Sequence, residues 1–264
     1  MKWMRLALAA FLIYALLGAV LYLFQDRLVF QPRRLSQNYR FHFRHPFREF
    51  NLPINDTDRI NCVLFTQPHP RGLVLYFHGS AGNLQSYVRY LPVFFRHGYQ
   101  VLITDYPGYG KSRGSRSESD LYRQAIWVYD LALNYTHPDS LILYGKSLGS
   151  AMAGYLASHK PCKELILECP MYNNVVLSER YFPMFPVSRM LRYRFPVDRF
   201  VRRTGVPIVI FHGTRDRVIP FSEVSGLIAL LKPQDRFVSI PGGGHSNLYA
   251  SPIYRRVMDS VLSR

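Results

Sequence analysis

Five residues, Gly145-Lys146-Ser147-Leu148-Gly149, constrain this chain more than any other stretch of it. They follow the apolar run Leu141-Ile142-Leu143-Tyr144 and lead into a small-residue helical pattern: Ser150, Ala151, Met152, Ala153, Tyr155, Leu156 and Ala157. A Gly-x-Ser-x-Gly between a strand and a helix is the sequence of a nucleophile elbow. The turn is so tight that side chains flanking the serine would collide with strand and helix, which explains Gly145 and Gly149. Such a turn lifts the Ser147 hydroxyl clear of the sheet and aims the Leu148 amide, in the first helical turn, at the same space. Glycine makes up about 7% of average sequences, so the five-residue pattern alone is weak. The strand before it and the helix after it give it weight.

Around this turn, short apolar segments recur at Arg48–Leu52, Ile60–Phe65, Gly72–Phe77, Gln100–Thr104, Leu141–Tyr144, Glu164–Leu167, Val206–Phe211 and Arg236–Ile240. Helical patterns lie between most of the later ones, at Ser86–His97, Ser117–Asn134 and Ser147–His159, and Leu248–Leu262 closes the chain. Strands alternating with helices predict an α/β fold, a mostly parallel sheet with helices on both faces. The first two strands, with no helix between them, are expected to be antiparallel. Residues 171–204 break the rhythm with aromatics, arginines and prolines. They are read as a cap-like insertion over the active site, with a crossover helix and long loop as the plainer alternative.

The amino terminus adds an element of a different kind. Leu6–Phe24 is uncharged and, at about 19 residues, long enough to cross a bilayer as a helix. Trp3, Tyr14 and Tyr22 suit an interface, and the stretch ends in Leu21-Tyr22-Leu23-Phe24, a poor site for signal cleavage. Residues 1–30 are therefore expected to be a single-pass membrane anchor, and 31–264 the catalytic domain. Gln25–Pro46 reads as a connector near the headgroups. A net charge of +16 comes without a nucleic-acid-binding motif or a dense Lys/Arg run. A membrane neighbour accounts for it better, since anionic headgroups attract each nearby basic residue by ~1 kcal/mol. Arg27, Arg33, Arg34, Arg40 and Arg44 outnumber Lys2 and Arg5, which favours a cytoplasmic domain, but short basic amino tails also precede exported domains. The side of the membrane and the oligomeric state stay open.

A serine hydroxyl is a poor nucleophile at neutral pH and needs a base. His245, on the glycine-rich loop Pro241–Asn247 after the last strand, is the best candidate among nine histidines. His42, His45, His69, His97, His137 and His159 fall on connectors or helix ends and read as surface residues. An imidazole base needs a carboxylate to hold its tautomer. Asp216, directly after the strand Val206–Phe211, fits; Glu168 and Asp198 are runners-up. The oxyanion donors are the amides of Leu148 and Ser80, the latter in His78-Gly79-Ser80-Ala81-Gly82-Asn83, where Gly79 lets the backbone approach the substrate. His78 is expected to hold that loop. The three cysteines, Cys62, Cys162 and Cys169, show no metal-type or disulfide spacing and read as buried small hydrophobes, though Cys169 could line the cleft. No metal and no cofactor is expected.

These segments together resemble the α/β-hydrolase superfamily, and within it the Bem46-like group related to membrane-associated ABHD proteins. The resemblance rests on the His78–Asn83 loop, Asp105-Tyr106-Pro107-Gly108-Tyr109-Gly110-Lys111-Ser112, the elbow, His212–Pro220 and Gly242–His245, with Phe24–Pro32 after the anchor. The order Ser147, Asp216, His245 is that of α/β-hydrolases. The resemblance implies a cofactor-free serine esterase or thioesterase acting on a small-molecule or lipid ester. A serine aminopeptidase on the same fold, and a non-catalytic module held at the membrane, are the alternatives.

Overall fold

A computed structural model describes residues 1–264. Ten strands form two sheets: β1 (Gln31–Pro32) with β5 (Ala81–Gly82), and an eight-stranded sheet ordered β10-β9-β8-β7-β4-β6-β3-β2. The large sheet comprises β2 (Phe47–Pro53), β3 (Arg59–Phe65), β4 (Gly72–Phe77), β6 (Tyr99–Thr104), β7 (Leu141–Lys146), β8 (Glu164–Glu168), β9 (Ile208–Gly213) and β10 (Arg236–Ile240). From β6 to β10 all neighbours are parallel, while β3 is antiparallel to both β2 and β6. The central strands β4, β6, β7 and β8 are buried along their whole length. Continuous apolar runs belong there, because both faces are covered.

Two cores lie on the two faces, and the strands alternate between them with period two. Leu73, Leu75 and Phe77 of β4 join a cluster of 36 buried residues; Val74 and Tyr76 join the other, of 26. The first face is covered by α4 (Glu118–Ala132), α5 (Gly149–Ala157) and α8 (Val197–Arg203). The second is covered by α3 (Pro92–Arg96) and α10 (Pro252–Leu262). Local signals set these helices: Ser117 caps α4 by accepting from Asp120 N–H at 3.2 Å, and Leu121, Ala125, Val128 and Ala132 form its buried stripe.

Two segments differ from expectation. The helix expected over Ser86–His97 is split into α2 (Leu84–Tyr87), a 3₁₀ turn at Val88–Tyr90, and α3. Pro92 has no N–H to donate and its ring crowds the carbonyl four residues back, so a new helix starts there. The strand expected over Val206–Phe211 begins at Ile208, because Pro207 cannot donate to the ladder, although its carbonyl accepts Leu165 N–H at 3.0 Å. Residues 171–204 carry three helices. α8 is the crossover helix, burying Val197 and Val201 in the core that also takes in α5 and laying Phe200 against Gly154 of α5. α6 (Asn174–Tyr181) and α7 (Val187–Met190) instead face the elbow as a cap.

The amino-terminal helix α1 runs from Lys2 to Val29 and is long and apolar enough to cross a membrane. The connector after it is not a loose tether. Phe30 is 3% exposed, set edge-on to Tyr193 and Tyr109, and Gln31 N–H donates to Ser80 O at 3.0 Å where β1 joins β5. Phe41 is buried as well. Removing the Phe30 ring is expected to cost ~3–5 kcal/mol through cavity and transfer terms. A urea titration of Phe30→Ala in detergent checks this; an unchanged midpoint would show that the junction does not contribute to the fold.

Candidate active site

β7 delivers Ser147 into the left-handed region, at φ 51°. A non-glycine residue there costs ~1–3 kcal/mol and persists only where its surroundings over-determine it. Ser147 N–H donates to Glu168 O at 2.8 Å, and Ser147 O accepts from Ser150 N–H and Oγ at 2.9 and 2.6 Å. A Cβ on Gly149 would overlap the Phe77 carbonyl, and one on Gly145 would sit 2.6 Å from Gly149 O. Strand, helix and serine are therefore closer together than any side chain permits.

His245 and Asp216 come to this serine from the ends of two other strands. His245 Nε2 lies 3.0 Å from Ser147 Oγ, and Nδ1 lies 2.7 Å from Asp216 Oδ2. Asp216 Oδ1 accepts the N–H groups of Val218 and Ile219 at 2.8 and 2.9 Å. Burial pushes the Asp216 carboxyl up, but the hydrogen bond and charge of His245, with those two amides, outweigh it and hold it below the usual range. The runners-up are engaged elsewhere: Glu168 with Lys146, Tyr144 and Tyr254, and Asp198 with Asn173 Nδ2 at 3.4 Å. None of the six histidines read as surface residues is buried.

Ser80 and Leu148 border the same cleft as Ser147. Neither backbone N–H donates to another group of the protein. The loop carrying Ser80 is held from beneath. His78 is fully buried, with Nε2 3.1 Å from Asp105 Oδ1 and Nδ1 2.7 Å from Gly79 O; Tyr106 and Tyr109 donate to His78 O and Ser80 O, each at 2.6 Å. Asp105 Oδ1 also accepts Leu84 N–H at 2.7 Å. The segment following β6 thus braces the segment following β4.

Sequence reasoning missed a buried polar cluster behind His245. Lys146, inside the elbow itself, pairs with Glu168 Oε1 and donates to His245 O at 3.3 Å. Tyr144 and Tyr254 donate to Glu168 Oε2. Burial pushes the Lys146 ammonium down, and the Glu168 charge more than reverses this. A lysine closing an otherwise apolar strand, with a glutamate closing the next, was the signal available. Cys169 belongs to this rear side and does not line the cleft: it is fully buried, with Sγ 3.6 Å from His245 O, and burial pushes its thiol well up. Cys169, His212 and Asp216 place ligand-type atoms within 4.8 Å of one another, but Asp216 is bonded to His245, and His212 Nε2 donates to Ile219 O at 2.9 Å.

Two outcomes follow from these groups. Glu168→Leu leaves an uncompensated buried ammonium and Lys146→Met an uncompensated buried carboxylate, each expected to cost ~3–5 kcal/mol, whereas Lys146→Met with Glu168→Leu costs less than either single change. Chemical denaturation of the three variants tests this, and additive losses would exclude it. Asp216 has a folded pKa below its unfolded value, so its stabilisation is fully present above about pH 3.9 and is lost as pH falls through the folded value. Thermal midpoints of Asp216→Asn measured against pH are expected to show a shallower acid limb than wild type; parallel limbs would refute the coupling.

The cleft above Ser147 has a volume of about 430 Å³, and 15 of its 21 lining residues are hydrophobic, so it suits an apolar ligand. A family model described as the alpha/beta hydrolase fold matches residues 72–200. The chain is 31% identical over 211 residues to the alpha/beta hydrolase domain-containing protein 17C of Xenopus tropicalis, covering 75% of this chain and 66% of that protein. It thus spans just under two thirds of such curated relatives. An esterase of Pyrococcus furiosus superposes with a TM-score of 0.66 at 17% identity, covering 88% of this chain and 96% of that one. A monoacylglycerol lipase of Paleococcus ferrophilus gives 0.60 at 18%, covering 77% and 98%. Both likenesses show the fold. Strand order, elbow position, family match and relatives agree, and the chain is a member of the α/β-hydrolase superfamily, akin to its alpha/beta hydrolase domain-containing proteins.

Proposed function

We propose that this chain is a membrane-tethered serine hydrolase that cleaves carboxylic ester or thioester bonds of lipid-like or acylated substrates. The observation that carries the reading is the hydrogen-bonded line Ser147–His245–Asp216 at the floor of an apolar cleft. Ser147 Oγ attacks the carbonyl carbon while its proton passes to His245 Nε2. The oxygen that becomes negative is met by the N–H groups of Ser80 and Leu148, each such donor contributing ~3–4 kcal/mol in the transition state. The tetrahedral adduct collapses, and His245 returns the proton to the departing alkoxide or thiolate. A water molecule, deprotonated by the same nitrogen, then attacks the acyl-serine and frees the acid. Asp216 keeps the proton of His245 on Nδ1 and stabilises the imidazolium. No step requires a cofactor.

Tethering and substrate class draw on separate support. α1 has the length and apolarity of a membrane span, and Gln25, Asp26 and Phe30 at its end are built into the domain rather than left as a removable leader. The cleft is lined by no carboxylate, so an aminopeptidase would have nothing there to hold a substrate amine. The structural neighbours, an esterase and a monoacylglycerol lipase, support ester cleavage.

The test is labelling by a fluorophosphonate together with turnover of p-nitrophenyl esters of increasing chain length. Wild type is expected to be labelled and to favour longer acyl chains over acetate. Ser147→Ala is expected to lose labelling and about 10⁶-fold in kcat. Equal labelling of Ser147→Ala would remove the serine from its role, and complete inertness of wild type would leave only the non-catalytic alternative.

A further inference from the structure

One face of α1 is committed to the hydrolase domain. Gly18, Leu21, Gln25 and Val29, three or four residues apart, are withdrawn from solvent, whereas Leu16, Val20, Leu23 and Phe24 stay exposed. The committed face packs on the cap. Towards the middle of the helix Tyr14, expected at an interface, instead stacks on Phe185 with centroids 4.9 Å apart and donates its hydroxyl to Met184 O at 2.8 Å. Near its end lies Gln25, the only buried residue of α1. Its Nε2 donates to Met190 O at 3.3 Å and its Oε1 accepts Arg192 N–H at 2.8 Å. Asp26 pairs with Arg192 and accepts from Tyr193 Oη, both at 3.0 Å. A buried amide bonded on both its atoms docks the helix in one register.

This seam borders the cleft that ends at Ser147, with Leu21, Tyr22, Gln25, Leu28 and Val29 on the α1 side. From Tyr14 to Gln25 the helix rises about 16 Å. The seam therefore begins roughly halfway along the apolar stretch Leu6–Phe24 and descends to the serine. With α1 across a bilayer, Phe185 and the 77%-exposed Met184 lie at hydrocarbon depth, while the exposed Arg189, Arg192 and Arg194 are available to headgroups.

We propose that the carboxy-terminal half of α1 is one wall of the acyl-binding groove, and that the acyl chain of a bilayer-resident ester or thioester enters sideways between α1 and the cap. The anchor then takes part in substrate selection as well as attachment. This rests on the reading of the chain as a membrane-tethered serine hydrolase.

The test uses the full chain in vesicles of phosphatidylcholine and phosphatidylglycerol. A hexadecyl fluorophosphonate with a diazirine at its chain end phosphonylates Ser147, fluoride leaving as the Oγ–P bond forms, and is then irradiated. Cross-links are expected in α1 or in residues 182–190; cross-links confined to other segments overturn the proposal. In parallel, Leu21→Trp narrows the groove and is expected to lower the ratio of hexadecyl to ethyl fluorophosphonate labelling by about tenfold or more. Leu23→Trp, on the exposed face, leaves that ratio within about twofold of wild type. An unchanged ratio in Leu21→Trp, with ethyl labelling retained, also overturns it. Should that variant fail to fold, ethyl labelling disappears and the wild-type cross-link decides. Absence of ethyl labelling in wild type sinks the hydrolase reading itself, a different outcome from any of these.

Discussion

The contact on which the rest of the site depends is the one between Gly149 and the Phe77 carbonyl, too close for any Cβ. It brings the start of α5 against the end of β4, the strand beside β7. Because the gap is closed, Ser147 is forced to a positive φ and its side chain projects out of the sheet. The same approach sets the Leu148 amide beside the loop that leaves β4, so the Ser147 hydroxyl and the Leu148 amide share one origin. Strain of this kind lasts only in a rigid setting. The fully buried parallel strands around β7 supply it.

Behind the serine, rigidity is electrostatic rather than steric. The Lys146–Glu168 pair is nearly dry, with side chains 4% and 1% exposed, and Tyr144 and Tyr254 supply the remaining hydrogen bonds. A buried ion pair adds little net stability compared with apolar packing, but it is directional. Here its direction matters, because the ammonium also holds the carbonyl of His245. The glycine-rich loop that carries His245 is also tied down by Gly242 N–H, which donates to Thr214 Oγ1 at 2.9 Å, and by Gly243 O, which accepts Arg215 N–H at 2.8 Å. Asp216 restrains the ring of His245, and Lys146 restrains its backbone.

Much of this was legible in the chain itself. The inner strands of the large sheet were visible as apolar runs, since burial on both faces leaves a continuous rather than alternating pattern; the edge strand β2 alternates instead. Ser147, Leu148, Ser80, Asp216 and His245, the residues proposed for the site, each lie in the segment that leaves a strand of the large sheet, which is how the sequence brought them forward. The errors arose from proline at Pro92 and Pro207, which interrupts hydrogen bonding without disturbing the hydrophobic pattern. Cys169 was read as buried, which it is, with the cleft as an alternative, because a residue after a strand may face either side of the sheet and only packing chooses.

The sequence alone determined the elements, their order, the elbow and an apolar amino-terminal helix, because local sterics and hydrophobic periodicity are written in neighbouring residues. It could not determine where that helix would lie. Gln25 in α1 meets Arg192 across a separation of 167 residues, and Tyr14 meets Met184 across 170. No local rule links positions so far apart. Tertiary structure decided that α1 docks on residues 184–193 and borders the cleft, since only the folded domain offers backbone groups at the spacing that Gln25 and Tyr14 can satisfy.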